Sequence, residues 1–208
     1  EDIGTLWLLH YELIKIEFSS IYSLVFNEFI RERREFTKEQ LHFFLKRKCI
    51  EKSENSYNPN TINSDITVFF RNYLMPKRGF SKVDIEEDYL GLLIELELVQ
   101  LKRIKNTEGS IIDIYTIEEK LQQSLPSEIF LFTLLDCFNS NTISIKDMYQ
   151  VDNGPAKLFC LNLDGLYSKF EEITKKHPEI IFNRTAGNEV LQFTKSMDKW
   201  EVLNEYYN

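Results

Sequence analysis

Apolar residues recur at helical spacing through most of this chain and give way to strand-like runs in two places. Over Thr5–Glu17, Leu6, Leu9, Leu13 and Ile16 share one helical face, broadened by Trp7 and Leu8, which predicts a buried helix. Ser19 and Ser20 offer caps for a second helix carrying Leu24, Val25, Phe26 and Phe29. Thr37 and Gln40 have the spacing of a capping box and open a third, with Leu41, Phe44 and Leu45 on one face and Lys46, Arg47 and Lys48 in its last turn. Asn58-Pro59 is a cap followed by a first-turn proline, and Ile62, Ile66, Phe69, Phe70 and Tyr73 then form an amphipathic stripe. A short helix over Tyr89–Leu98 leads into strands Val99–Ile104 and Ile111–Ile117, flanking the turn residues Asn106-Thr107-Glu108-Gly109.

The second half repeats this order. Leu125–Phe138 is an apolar helix opened by Pro126, and Ser144–Tyr149 is a short one. Leu163–His177 is a third, with Leu163, Leu166, Tyr167, Phe170 and Ile173 on one face. Strands Ile180–Phe182 and Val190–Phe193 flank Thr185-Ala186-Gly187-Asn188. Helix, turn, helix and hairpin, twice over, predict a mainly α chain with small β-hairpins (α+β): tandem winged-helix-like domains, 1–120 with the N-terminal helices and 121–208. Seven Gly and five Pro suit this plan better than a many-stranded sheet.

Charge changes the picture. Residues 31–82 hold twelve Lys/Arg against six Asp/Glu, a net +6 in a chain whose total is −8, which leaves −14 elsewhere. A basic segment around a helix pair attracts phosphate, while the acidic remainder argues against a protein that coats nucleic acid throughout. Cys49, Cys137 and Cys160 are odd in number and lack metal-ligand spacing, which fits a reducing cytoplasmic setting without structural zinc. Cys137, inside an apolar helix pattern, reads as a buried hydrophobe. No apolar run reaches a membrane span of about 20 residues. The chain opens on Glu1 rather than Met, so sequence upstream is expected.

The polar face of Thr61–Tyr73 is the best candidate reader of a major groove. Asn60, Thr61, Asn63, Ser64, Thr67 and Arg71 are small or polar groups able to meet base edges and phosphates. Lys77 and Arg78, with Lys102, Arg103 and Lys105 on the wing, would grip the backbone of double-stranded DNA. Arg31, Arg33 and Arg34 are alternative phosphate contacts, diluted by Glu32 and Glu35. The same helix can equally belong to a protein-docking module, since winged helices serve both uses. The second domain's helix carries Asp164, Glu171 and Glu172 against Lys169, Lys175 and Lys176, a balance unsuited to phosphate. Asp113 with Glu118 and Lys120 superficially has the residue types of a nuclease metal site, but the carboxylates follow one strand too closely. His10, His42 and His177 form no triad or ligand set, and His10 reads as a core residue bonded to backbone. No phosphate-cradling glycine loop exists, so no enzyme, cofactor or metal is expected.

Several segments carry a family likeness: Glu1-Asp2 with Thr5-Leu6-Trp7-Leu8-Leu9-His10; Phe26-Asn27-Glu28-Phe29 with Phe36-Thr37; Asp65, Phe69, Arg71 and Tyr73; Leu125-Pro126, Phe130 and Leu134-Leu135-Asp136; and Thr185-Ala186-Gly187. Through these the whole chain resembles the bacterial family of unknown function numbered 4007, with the first block the most specific and Tyr11 departing from a usual Trp. Family members usually begin with a region bearing a Gly-His-Glu-Thr-Phe motif, absent here, so the chain is similar to their C-terminal two-thirds. The resemblance implies association with DNA phosphorothioation and phage defence, a protein partner from a defence or modification complex, and no catalytic residues.

Overall fold

The computed structural model describes residues 2–15, 21–41, 43, 44, 47, 89–117, 122–150 and 154–208. They form a mixed α+β structure of two compact units: Leu9–Glu118, and Glu119–Asn208 together with Asp2–Leu8. Each unit holds one small antiparallel sheet of three strands. The helix expected after Pro59, with His42 and Cys49, lies outside the described residues.

Helix α1, Ile3–Lys15, is buried almost throughout, as its apolar pattern requires. In the first unit, α2 (Ile21–Leu24) runs into a π-helical turn, Val25–Ile30, closed by the Arg31 amide donating to the Phe26 carbonyl at 3.1 Å. The wider turn sends Val25, Phe26, Phe29 and Ile30 all inward. His10 is fully buried against Phe26 and meets the Tyr22 hydroxyl at 2.5 Å. Its partner includes a side chain, where the sequence pointed to backbone.

The charged spacer after this helix contains an unanticipated strand, β1 (Glu35–Phe36), which is too short to carry a period of its own. The capping box forms as read: the Thr37 amide donates to Gln40 Oε1 (3.0 Å) and the Gln40 amide to Thr37 Oγ1 (3.3 Å). Helix α3 (Tyr89–Glu95) ends with Glu97 at φ 57°, bracketed by bonds from Leu98 to Leu93 and from Glu97 to Ile94, each 3.0 Å. This is a Schellman closure with glutamate where glycine is usual. Strands β2 (Val99–Lys105) and β3 (Ile111–Ile117) follow, with β3 central in the order β1-β3-β2. Phe36 stacks on Tyr115 and meets Phe29 edge-on, joining sheet to helix.

The second unit runs α4 (Ser127–Cys137), β4 (Thr142–Ser144), α5 (Ile145–Gln150), α6 (Pro155–Leu158), α7 (Leu163–Lys176), β5 (Ile180–Thr185), β6 (Asn188–Phe193) and α8 (Lys199–Tyr207). Its sheet order, β4-β6-β5, repeats that of the first unit. A reciprocal box again follows the short strand: Ser144 and Asp147 each accept the other's amide, at 3.1 and 3.0 Å. The core joins Phe130, Phe159, Phe170, Leu166 and Ile173, and Trp7 packs edge-on to Phe159.

Three expectations change here. Cys137 is exposed, because α4 leaves the core in its last turn. Leu163, at the start of α7, is 45% exposed. Lys169 is only 3% exposed, since its ammonium donates to the Leu125 carbonyl (2.6 Å) and pairs with Glu172 (3.1 Å). Helix α8 had no periodic signal and seats itself on α4 through Trp200 on Phe132 and Lys199 on Asp136. At its far end the Tyr206 hydroxyl donates to Asp2 (2.5 Å) and accepts from the Gly4 amide (3.2 Å). A Cβ on Gly4 would stand 2.3 Å from the Tyr206 ring, so a side chain there would displace that ring.

Candidate nucleic-acid interface

Of the residues singled out for DNA, Asn60, Thr61, Asn63, Ser64, Thr67, Arg71, Lys77 and Arg78 lie outside the described residues. Lys102, Arg103 and Lys105 stand on β2. Asn106 shapes the hairpin end, its side-chain oxygen accepting from the amides of Glu108 (3.0 Å) and Ser110 (2.8 Å), and Gly109 supplies the positive φ of 82° that side chains resist. All five residues from Leu101 to Lys105 are exposed.

The register divides those cations. Leu101 faces Tyr115, Arg103 faces Asp113 and Lys105 faces Ile111 on one side of the ribbon; Lys102 opposite Ile114 belongs to the other side. The three therefore do not form one patch, because successive strand residues alternate faces. Arg103 is further engaged by Asp113, Nε to Oδ1 3.2 Å, in a pair open to water and worth about 0–1 kcal/mol.

Between the hairpin and the capped helix start lies a groove of about 710 Å³, lined by Thr37, Lys38, Glu39, Arg103, Ile111, Ile112 and Asp113. Two cations and two carboxylates balance there, so the groove presents no net positive charge to an anion. Lys38, Glu39 and Asp113 entered the site unforeseen; their proximity depends on pairing between distant strands. Arg31 and Arg33 are locally engaged, Arg31 with Asn27 (3.0 Å) and Arg33 over the Phe29 ring (4.4 Å).

In the second unit the corresponding hairpin is closed onto its helix. Tyr167 donates to Glu189 (2.6 Å), which raises the phenol's pKa because the neutral form holds that bond; burial adds to the shift. Arg184 stacks over Tyr167 at 4.3 Å and reaches Glu171 at 4.0 Å. Lys176 bonds both Glu128 and Ser127. Partial burial alone would raise the Glu128 pKa, but the Lys176 bond and charge hold it below the usual carboxylate range. Among the described residues, no group of three or more His, Cys, Asp or Glu could hold a metal ion, and no helix is long and apolar enough to cross a membrane.

The chain belongs to the family described as "Protein of unknown function (DUF4007)", which matches residues 1–207. It shares a fold with two solved structures, "Magnesium ion-bound SspB crystal structure" at 21% identity and "SspB crystal structure" at 20%, each with a TM-score of 0.59. Either match covers 100% of this chain and 61% of the other, so the chain spans about three-fifths of those proteins. No curated protein matches.

Proposed function

We propose that the two units are tandem winged-helix-like domains and that the chain is a non-catalytic DNA-binding, regulatory protein of a bacterial phage-defence system linked to DNA modification. The observation that carries this reading is the first unit's wing, where Lys102, Arg103 and Lys105 are exposed at the end of a short strand, capped helix and hairpin. The repeated sheet order supports the tandem plan. The family membership supports the defence context, through the association that the resemblance implied. On this reading the helix after Pro59 enters the major groove of duplex DNA, and the wing and Lys77 and Arg78 hold phosphates on either side. The protein acts in the cytoplasm.

The test is a mobility shift with duplex DNA at low salt. Retardation that weakens in Arg71→Ala and Lys77→Ala supports the reading; no shift at any concentration ends it.

A second reading is an adaptor that docks a DNA-modifying or restriction partner through winged-helix surfaces. The exposed apolar groups on the wing, Leu101, Ile104 and Ile111, favour it. A complex that survives nuclease treatment and charge reversal on the wing supports docking; loss under both contradicts it.

A further inference from the structure

Helix α1 starts on residues that hold a first turn poorly. Gly4 stands between the β-branched Ile3 and Thr5, and the turn holds no acidic residue. Leu6 donates its amide to the Asp2 carbonyl at 3.2 Å, so Asp2 is the residue that caps the helix. Its carboxylate accepts from two hydroxyls, Tyr206 on Oδ1 (2.5 Å) and Thr5 on Oδ2 (2.7 Å). The Gly4 amide is among the four that no carbonyl of the helix can reach, and it donates to the same Tyr206 hydroxyl at 3.2 Å. With its proton directed to Asp2, the buried Thr5 hydroxyl accepts from Tyr207, oxygen to oxygen 2.9 Å. Two tyrosines of α8 thus complete the start of a helix, Tyr206 lying 202 residues beyond Gly4 in sequence. Both segments belong to the second unit, which includes Asp2–Leu8.

Helix α8 is anchored unevenly. In its first half Val202 and Leu203 are buried, Trp200 meets Phe132 edge-on at 5.4 Å, and Lys199 reaches Asp136 at 2.5 Å. Its second half exposes Asn204 and Glu205, and its last two residues are half-buried tyrosines bonded through their hydroxyls to α1 and its cap. Polar bonds at a half-buried site open at lower free energy than an apolar core.

We propose that α8 is a strap whose Tyr206 hydroxyl caps α1 from outside that helix, so that the first turn of α1 and the last turn of α8 order and release together, ahead of the rest of the second unit. This conformational device goes beyond the DNA reading and does not depend on it.

The test is amide hydrogen exchange on the full chain, followed residue by residue by NMR. The Gly4 amide should be protected, although a first-turn position ordinarily leaves it to water. In low urea, Gly4 and Asn208 should exchange through one shared opening, at least about tenfold faster than the buried Phe130 and Leu166. Tyr206→Phe keeps the ring and removes the hydroxyl; it should speed exchange at Gly4 about tenfold and leave Phe130 unchanged. Gly4→Ala displaces the ring from the other side and should speed exchange at Asn208 by a similar factor. An unprotected Gly4 amide in the unaltered protein, or protection that survives Tyr206→Phe, overturns the proposal. Equal acceleration at Phe130 and Gly4 also overturns it, because the unit would then open as a whole.

Discussion

The two hairpins share a plan and differ in where their polar groups are satisfied. Each follows the same sheet order, and each turns on a glycine at φ 82°, Gly109 or Gly187. The second is tied to α7 by Tyr167 on Glu189, by Arg184 over the Tyr167 ring, and by Phe182 edge-on to Phe170. The first leaves Lys102 through Lys105 exposed, with Arg103 paired to Asp113 in a bond open to water. Identical topology thus permits opposite arrangements: a hairpin bonded to its own unit's helix, and a hairpin whose cations are exposed.

The largest test of this contrast is mechanical. Phe170→Ala removes the ring between α7 and the second hairpin and should cost about 3–5 kcal/mol, read by denaturant unfolding. Ile104→Ala on the exposed first hairpin should cost well under half of that; equal losses would erase the distinction.

Next comes the clasp of α8. The Tyr206 pKa is raised by burial and then by its bond to Asp2, above the ordinary tyrosine value of 10.0. A raised pKa means its contribution is complete below pH 10 and is lost as pH climbs toward the folded-state value. Tyr206→Phe should lower stability at pH 8 and flatten the alkaline decline, measured by thermal melts across pH. An unchanged alkaline slope would contradict the assignment.

Glu128 gives the acid counterpart. Its pKa is depressed, so its contribution is present above the unfolded value near 4.5 and fades as pH falls through the lower folded value. Lys176→Met should reduce the acid sensitivity of the second unit. The smallest effect belongs to a cap: Glu97→Gly relieves a positive φ in the first unit and should raise stability by about 1 kcal/mol. Cys160→Gly offers the matching change in the second, since Cys160 sits at φ 50°.

The first hairpin was legible because Asn106 to Gly109 provides turn chemistry between alternating apolar runs, and the capping box because its two residues act on each other locally. Strand β1 was not: two residues owe their conformation to β3, far along the chain. Helix α8 has no clear apolar stripe, and its place follows from Trp200, Lys199 and Tyr206 finding partners on α4 and α1. Lys169 looked like a surface charge because only the fold brings the Leu125 carbonyl to it. The cations of β2 were found by composition, yet their division between two faces needed the register. The remaining DNA candidates, from Asn60 to Arg78, rest on sequence pattern alone.

The salt dependence of duplex DNA binding decides whether the first hairpin acts outward on DNA, as proposed. Binding should weaken steeply with salt, with a log–log slope shallower by about 2–3 in the variant with Lys102, Arg103 and Lys105 all changed to Ala. Arg184→Ala in the second hairpin should leave the slope unchanged. Binding that is absent at low salt, or a slope insensitive to changes in the first hairpin and altered by changes in the second, would contradict it.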